Sequence, residues 1–224
     1  LYNISRAEQD ELGVMSHQRA RAAIKGGLFA DEIVPVVIKD RKGEVVVATD
    51  ERPMETTLEK MAKLRPAFKP DGTVTAGNAS GINDGAAAVL IMSAEKAKAL
   101  GLTPFLKVKA FASGALDPAY MGLGPVPAVR KALKAAGMGL SDIDMIELNE
   151  AFASQAIGCM RELGLKNDRP NELGSGISLG HPIGATGARQ MVTAMHHMRR
   201  KGYRTGLISM CIGGGMGMAM IIES

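Results

Sequence analysis

The sequence contains no tryptophan, and aromatic residues make up only 4% of its 224 residues, although 46% are hydrophobic. A core of this composition has to be built from Ala, Val, Ile, Leu and the 15 Met residues. Long apolar runs are also missing. Candidates such as residues 86–92 are far shorter than the roughly 20 residues that a membrane-spanning helix needs. We therefore expect a globular protein that does not insert into a membrane.

Cysteine is scarce as well. The two residues of this type, Cys159 and Cys211, provide no disulfide framework, so a reducing, cytoplasmic compartment is expected. The net charge of +4 is small, and a solvated helix end explains the basic cluster at residues 199–201 better than a nucleic-acid partner does. The first residues contain no Met and do not resemble a signal peptide, which predicts that the chain begins within a longer polypeptide.

Hydrophobic periodicity and turn residues predict an alternation of helices and strands. The predicted helices are 5–26, 58–64, 93–100, 126–136, 151–163 and 187–201, and the predicted strands are 33–38, 44–48, 86–92, 105–113, 143–148, 205–211 and 216–222. Ser5 and Glu8 have the spacing of a capping box at the start of the first helix, and a turn at residues 40–43 separates the first two strands as in a hairpin. From about residue 104 the alternation is regular, which is typical of α/β proteins with helices packed on a mixed sheet. The first 80 residues alternate less regularly and indicate an inserted or capping region.

The strongest local feature is the segment 179–189, which contains Gly180-His181-Pro182 and two further glycines. Pro182 restricts the backbone of His181, and the predicted helix that follows directs its N-terminus toward the same place. A His held there can act as a base or as a hydrogen-bond donor. A structural His in a glycine-rich connection explains the segment about equally well.

Two other turns carry side chains capable of chemistry. Cys211 ends a predicted strand before three glycines, residues 213–215, whose backbone N–H groups can stabilise an oxyanion. A buried Cys beside a hairpin turn is the alternative. Asn149 lies between a strand and a helix, where it can cap the helix or position water and substrate. Cys159 lies within a predicted helix and is expected to belong to the core.

In their order along the chain, these turns resemble the three C-terminal signatures of the thiolase family. The matching strings are Asn149-Glu150-Ala151-Phe152, Gly180-His181-Pro182 and Cys211-Ile212-Gly213-Gly214-Gly215, and further matches lie at residues 63–68, 75–81, 83–86 and 121–128. The resemblance covers essentially the whole chain. An ordered set of this kind is much more specific than any one of its strings.

The resemblance implies an α/β, thiolase-like layered fold, in which a mixed five-stranded sheet is flanked by helices and accompanied by part of an inserted loop domain. It assigns residues 1–82 to the C-terminal part of the loop domain, 83–103 to the end of the N-terminal thiolase half and 104–224 to the C-terminal domain. The implied activity is that of an acyl-CoA C-acyltransferase. Such an enzyme catalyses the reversible Claisen condensation and thiolysis of acyl-CoA and 3-ketoacyl-CoA, as in fatty acid metabolism.

In the family, the nucleophilic Cys lies in the first half, and neither Cys of this chain matches it. The resemblance assigns His181 to activation of that nucleophile and stabilisation of the thioester oxygen. It assigns Cys211 to proton transfer at the substrate α-carbon. Asn149 would hold a water of one oxyanion site, and the N–H of Gly213 would serve a second. The glycine turn and His181 are expected to favour the thiolate form of Cys211.

Coenzyme A is implied as substrate and product, and no permanently bound cofactor or metal is expected. The positions that match the CoA site of the family are Phe68, Ser80, Met121 and Phe152. The pantetheine arm is long and mostly apolar, which suits walls of Phe and Met. Met54 stands where the family places an Arg for the nucleotide end of CoA, a contact that Arg52 could replace. Leu173 stands where the family has a second Asn, which changes the support of the loop before His181.

The resemblance also implies protein partners, namely the N-terminal thiolase half and further copies of the chain in a dimer or homotetramer. One alternative function is a non-catalytic acyl-CoA-binding fragment, and another is a related decarboxylating or acyl-transferring condensing enzyme. The presence of Asn149, His181 and Cys211 together favours catalysis, because a pure binder does not need all three. A Cys before three glycines favours a thiolase over the other condensing enzymes.

Overall fold

The computed structural model of the chain describes residues 2–224. The α-helices in this range are Arg6–Lys25 (α1), Leu58–Ala62 (α2), Ala94–Ala99 (α3), Pro125–Ala136 (α4), Ala153–Leu163 (α5), Gly176–Leu179 (α6) and Thr186–Lys201 (α7). The strands are Val36–Asp40 (β1), Gly43–Val47 (β2), Lys107–Ala115 (β3), Met145–Leu148 (β4), Thr205–Ile212 (β5) and Met216–Glu223 (β6). Two short 3-10 helices span Pro118–Leu123 and Leu140–Asp142. Across residues 2–224, no helix is both long enough and apolar enough to cross a bilayer.

Four strands form the main sheet, in the order β3-β6-β5-β4. β4 runs parallel to β5, whereas β6 is antiparallel to both of its neighbours. Helices α4 and α5 cover one face of the sheet, and α7 packs on the other. The prediction of a mixed sheet flanked by helices is therefore confirmed.

The sheet has four strands where five were predicted. Residues that follow α5 run beside β4, but a single backbone bond joins them, from the N–H of Asn171 to the C=O of Ile146 at 2.9 Å. The side-chain amide of Asn171 replaces further ladder bonds, because it accepts from the N–H of Leu148 and donates to its C=O, both at 2.8 Å. Asn171 has a φ of +61°, which turns the backbone out of the extended conformation, so no fifth strand forms.

The largest core lies between the sheet and helices α4 and α5. Its most deeply buried large side chains are Leu148, Ile157, Met160, Ile177, Leu207 and Ile221. Both helices end at a glycine in the left-handed conformation, Gly137 after α4 and Gly164 after α5. Cys159 is fully buried in this core, as predicted.

Helix α1 begins at the predicted capping box and packs against α5 and α6. Ser5 Oγ accepts from the N–H of Glu8, while the Glu8 carboxylate accepts from the N–H of Ser5 at 2.8 Å. Arg19 then fixes the helix to the chain after α5, because its guanidinium donates to the C=O groups of Pro170 and Asn171 at 2.6 and 3.2 Å. The predicted hairpin also forms, as β1 and β2, but every residue of β1 is exposed.

The segment 86–92 was predicted to be a buried strand, and this prediction is wrong. No strand within residues 2–224 pairs with it, and an extended segment becomes a strand only when a neighbour satisfies its N–H and C=O groups. Its side chains Leu90 and Ile91 are 81% and 68% exposed. The segment lines one wall of an open cavity of about 1390 Å³, and α7 contributes to another wall.

Candidate active site

The carboxyl ends of β4 and β5 meet at one edge of the main sheet because the two strands are parallel. Asn149 directly follows β4, and its N–H donates to the C=O of Ser209 in β5 at 2.9 Å. Cys211 lies two residues further along β5, so the register places it at the same edge. In α/β sheets, this edge is where ligands bind.

His181 lies in the connection between α6 and α7 and is held by contacts from both sides. Gly180 has a φ of +97°, and a Cβ at this position would come within 2.6 Å of Asn83 Oδ1, so only glycine fits. The same oxygen accepts the backbone N–H of His181 at 3.3 Å. On the ring, Nδ1 lies 2.8 Å from Oγ1 of Thr186, the first residue of α7.

The hydroxyl of Thr186 determines which ring nitrogen of His181 carries the hydrogen. It donates its one hydrogen to the C=O of Pro182 at 2.9 Å, so it acts as an acceptor toward the ring. Nδ1 therefore carries the hydrogen, and Nε2 carries the lone pair that can accept a proton. Burial, followed by the positive charge of Arg189, lowers the pKa of His181 and favours the neutral ring. This side chain is suited to accepting a proton at Nε2.

Asn149 is completely buried and lies against the ring of His181. Its Nδ2 is 3.4 Å from Nδ1 of the ring and 3.5 Å from Nε2. Among residues 2–224, its Oδ1 has no hydrogen-bond partner. A buried amide oxygen without a partner is uncommon in folded proteins and is typical of a site that binds a polar group.

The two cysteines lie in different environments. Cys159 is inside α5, its Sγ donates to the C=O of Gly122 at 3.2 Å, and burial raises its pKa to about 12. Burial also raises the pKa of Cys211, which is 8% exposed. The predicted preference of Cys211 for the thiolate is therefore wrong, because the loss of water disfavours the charged form more than the backbone hydrogen bond to its sulfur stabilises it. The resting form of Cys211 is the thiol.

The turn after Cys211 connects β5 to β6 and is built from three glycines. Gly214 and Gly215 have φ values of +81° and +87°. The turn is held in place because the N–H of Leu116 donates to the C=O of Gly215 at 2.8 Å. A Cβ added at Gly213 would meet no atom within 4 Å, so the backbone there is open to the approach of another group.

The four predicted CoA positions surround the start of α5. The rings of Phe68 and Phe152 pack edge to face with their centroids 6.1 Å apart. Ser80 is next to them, and its N–H donates to the C=O of Ala151 at 2.9 Å. Met121 is half-buried in the 3-10 helix that packs on α5. Phe68 is 72% exposed, so its ring is accessible to an apolar ligand.

The departure at Leu173 changes the support of the loop before His181. Leu173 is buried and packs with Ala23 and Phe29, and Leu179 joins the same cluster. Apolar packing against α1 and the residues that follow it thus supports the loop where an Asn would use hydrogen bonds.

Met54 stands where the family has an Arg, and both Met54 and the nearby Arg52 make hydrogen bonds within the protein. The N–H of Met54 donates to Nδ1 of the buried His17 at 3.2 Å. The guanidinium of Arg52 donates to the C=O of Ile177 at 2.8 Å and to that of Ala79 at 3.2 Å. Arg52 therefore joins α6 to the loop that carries Ser80.

Sequence reasoning assigned no role to Thr186, Glu150 or Asn171. Thr186 has a local signal, since a hydroxyl near the start of the helix that follows His181 is within reach of the ring. Glu150 and Asn171 bond to each other across 21 residues at 2.9 Å, and no local pattern predicts such a pair.

The sequence matches two profiles of the thiolase family. Residues 102–224 match the thiolase C-terminal domain, and residues 1–95 match the thiolase N-terminal domain. An acetyl-CoA acetyltransferase from Syntrophomonas wolfei subsp. wolfei is 56% identical over 226 residues, which cover 100% of this chain and 57% of that protein. The chain thus spans a little more than half the length of this relative.

Solved structures agree with the sequence matches. The crystal structure of the Bacillus anthracis acetyl-CoA acetyltransferase is similar with a TM-score of 0.97 at 49% identity, over 99% of this chain and 57% of that one. The crystal structure of human mitochondrial 3-ketoacyl-CoA thiolase in complex with CoA gives a TM-score of 0.92 at 43% identity, over 100% of this chain and 56% of that one. Matches on this scale include the turns that carry Asn149, His181 and Cys211, and the chain belongs to the thiolase family.

Proposed function

We propose that the chain supplies the base, the proton-transfer thiol and the oxyanion-binding groups of a thiolase that condenses acyl-CoA and cleaves 3-ketoacyl-CoA. The observation that carries this proposal is the contact between Asn149 and His181 at the edge of the sheet where Cys211 lies near the end of β5. The relatives described above are acetyl-CoA acetyltransferases and a 3-ketoacyl-CoA thiolase, which supports thioesters of CoA as substrates.

In this proposal, His181 activates a nucleophilic thiol through Nε2. Nδ1 is already committed to Thr186, so Nε2 is the nitrogen available to accept the proton. Once an acyl group is on the nucleophile, the protonated Nε2 can donate to the thioester oxygen. The lowered pKa of His181 assists turnover, because a weakly basic ring readily releases the proton at the end of the catalytic cycle.

Cys211 moves the proton at the substrate α-carbon. In thiolysis, the nucleophilic thiolate forms a thioester with C3 of the 3-ketoacyl chain while the bond between C2 and C3 breaks. The electron pair of that bond remains on the departing acyl-CoA as an enolate, and the thiol of Cys211 protonates C2. The raised pKa of Cys211 suits this acidic role. Condensation is the reverse of these steps, so the Cys211 thiolate that remains after protonation of C2 is the form that removes the same proton. Enolate charge is stabilised by a water on Asn149, and the N–H of Gly213 serves the other oxyanion site.

The nucleophile itself is proposed to come from a thiolase N-terminal segment outside this chain. Cys159 is unsuitable because burial raises its pKa to about 12, and Cys211 has the other role. The unpaired segment 86–92 and the open cavity beside it support such a partner, since an extended chain with free N–H and C=O groups can pair with strands of another segment.

The CoA arm is proposed to run along Phe68, Ser80, Met121 and Phe152, with its thiol end toward His181. Exposed apolar side chains on the hairpin further support assembly into a dimer or tetramer, because Val36, Ile38 and Val45 on one of its faces are 59%, 52% and 57% exposed.

The test separates acylation from carbon–carbon chemistry in the full-length protein. Acyl-enzyme is quantified in a single turnover with acetyl-CoA, and overall thiolysis is measured in parallel. Cys211→Ala should slow overall turnover by on the order of 10²–10⁴-fold and leave acylation largely unchanged. His181→Ala should impair both steps, because it serves both the nucleophile and the oxyanion. Cys159→Ala is the matched control and should change neither step.

Loss of acylation in Cys211→Ala with acylation retained in His181→Ala would reverse the two roles. A wild-type protein that forms no acyl-enzyme, yet is protected by CoA at Phe68, Ser80, Met121 and Phe152, would instead be a non-catalytic acyl-CoA-binding protein. Intact-mass measurement of the purified protein would show whether a second polypeptide accompanies this chain.

A further inference from the structure

The carboxylate of Glu150 is buried and bound by donors from three separate parts of the chain. Its Oε2 accepts from Oγ of Ser16 at 2.6 Å and from the N–H of Ile177 at 3.3 Å. Its Oε1 accepts from Nδ2 of Asn171 at 2.9 Å. Glu150 is only 2% exposed, so water has almost no access to its carboxylate. Burial raises the pKa of Glu150, whereas the three donors oppose that shift, because a carboxylate accepts hydrogen bonds on both of its oxygens.

The bond to Ile177 links the end of β4 to the segment that carries His181. Glu150 directly follows Asn149, and Ile177 is the second residue of α6. Helix α6 is a single turn, closed by the bond from the N–H of Gly180 to the C=O of Gly176 at 3.1 Å, and His181 comes next. A displacement of α6 therefore displaces His181 with it.

Helix α6 also packs directly on the backbone beside Asn149. A Cβ added at Gly176 would lie 2.7 Å from Asn149 Oδ1 and 2.7 Å from the C=O of Glu150. The amide of Asn149 approaches the two ring nitrogens of His181 at 3.4 and 3.5 Å, near the upper limit of a hydrogen bond. A shift of a few tenths of an ångström in α6 is enough to lose this contact.

We infer that Glu150 is a positioning residue whose carboxylate sets the separation between Asn149 and His181 by joining the end of β4 to α6. Ser16 extends the link to α1, and its hydroxyl lies 2.8 Å from that of Ser178 in α6. The catalytic consequence of the link rests on the proposed function, whereas the link itself does not. Glu150 acts through Asn149 and His181 and has no chemical step of its own.

Glu150→Gln tests this inference because it keeps the shape of the side chain and removes one acceptor. Asn171 Nδ2 faces one oxygen of Glu150 and the N–H of Ile177 faces the other, and both are fixed donors. Whichever way the Gln amide turns, its NH₂ group faces one of these donors and breaks that bond. We expect kcat to fall by about 10–100-fold, since a small misplacement of reacting groups costs this much. The KM for acyl-CoA should change less than about threefold, because the ligand walls remain in place.

Glu147→Gln is the matched control. Glu147 lies on the same strand, two residues earlier, and is fully buried, but its carboxylate faces Arg189 Nη1 at 3.7 Å and makes no bond to α6. Burial raises its pKa to about 8, so at pH 7 it is mostly protonated and Gln resembles the form already present. We expect turnover within about threefold of the wild type for this variant.

Hydrogen exchange of the full-length protein provides a readout that does not depend on activity. In Glu150→Gln, amides at residues 176–181 should exchange at least about tenfold faster, while those of β5 and β6 remain unchanged. Glu147→Gln should leave residues 176–181 as in the wild type. Equal losses of kcat in the two variants, unchanged exchange at 176–181, or a uniform increase across the chain would each overturn the inference.

If Glu150→Gln does not fold, Ser16→Ala decides the question. It removes one donor from Oε2 and the contact with Ser178, and leaves both fixed donors in place. Exchange at residues 176–181 should still rise, with kcat lowered by about three- to tenfold. No change in either quantity would overturn the inference. If the wild-type protein transfers no acyl group, the proposed function fails, and the exchange data alone decide whether Glu150 holds α6.

Discussion

Two parts of this chain differ in how completely they pair their own backbone polar groups and bury their own apolar side chains. In residues 107–224, four strands pair with one another, and helices cover both faces of the sheet. In residues 33–106, the hairpin exposes all of β1, and the extended segment 86–92 has no paired neighbour among residues 2–224. The C-terminal part therefore builds its own core and the candidate site. The earlier part, apart from the contacts that Arg52, Ser80 and Asn83 make, presents surfaces that we expect other polypeptide to cover.

The sharpest test of this difference is the cost of removing an apolar side chain from each part. Ile157 is fully buried in α5, and Ile157→Ala should lower the free energy of unfolding by about 2–5 kcal/mol through lost burial and a residual cavity. Val37 in the hairpin is 48% exposed, so Val37→Ala should cost no more than about 0.5 kcal/mol. Denaturant titration of both variants measures the two values. Similar losses would show that the hairpin is packed as tightly as the core.

The C-terminal part also contains a buried carboxyl that should make stability depend on pH. Burial raises the pKa of Glu147 from 4.5 to about 8, so the folded protein prefers its neutral form. Stability from this group is complete below pH 4.5 and is lost as the pH rises from 4.5 through about 8, because the buried carboxyl must then ionise. The loss is on the order of 3–5 kcal/mol at about 1.4 kcal/mol per pH unit.

Glu147→Gln should abolish that loss, so that the variant becomes more stable than the wild type above pH 8 when unfolding is followed at several pH values. Glu223→Gln is the control. The pKa of Glu223 is lowered by Lys109 and Lys107, and this group remains ionised throughout the window. A wild type whose stability does not fall between pH 5 and 8 would contradict the prediction.

Within the candidate site, Thr186→Val tests whether the hydroxyl fixes the ring of His181. Valine keeps the volume and removes the acceptor for Nδ1–H, so both nitrogens can exchange the hydrogen. Turnover should fall by about 10–100-fold, the usual cost of losing a group that orients a functional His. Nitrogen-15 NMR of the imidazole should show a mixed tautomer. Thr193→Val on the same helix, where the hydroxyl bonds to Glu32, should have neither effect.

The smallest expected effect lies on the proposed ligand surface in the earlier part of the chain. Phe68→Ala removes an exposed ring that packs on Phe152, and it should raise the KM for acyl-CoA by about three- to tenfold with little change in kcat. Phe111→Ala on β3 removes a ring that is 66% exposed and should leave KM unchanged. Steady-state kinetics of both variants measure the two KM values. An equal change of KM in the two variants would show that CoA does not bind along Phe68.

Much of the fold was predictable because its signals are local. The capping box at Ser5 and Glu8 marked the start of α1, and turn residues marked the hairpin. Hydrophobic periodicity located α4, α5 and α7 to within two residues. The same reasoning placed Asn149, His181 and Cys211 at the ends of elements, and parallel pairing of β4 with β5 then brought Asn149 and Cys211 to one edge. Apart from the pairing of β4 with β5, each of these features depends on residues within a few positions of one another.

Only the tertiary structure decided the features that depend on distant neighbours. Residues 86–92 have the composition of a strand, but pairing requires a second strand, and none within residues 2–224 is beside them. The side chain of Asn171 took the place of a fifth strand through bonds to Leu148, 23 residues away. The thiol form of Cys211 follows from burial, which the sequence does not specify.

Glu150 shows the same limit in one side chain. The string in which it lies identified the family, but its carboxylate bonds to residues 134, 21 and 27 positions away. Such partners are chosen by the path of the whole chain, since a hydrogen bond requires its two atoms to approach within about 3 Å. The sequence alone determined the family, most of the elements and the chemical groups at their ends. The distances that let those groups act together arise only when α1, α6 and β4 pack against one another.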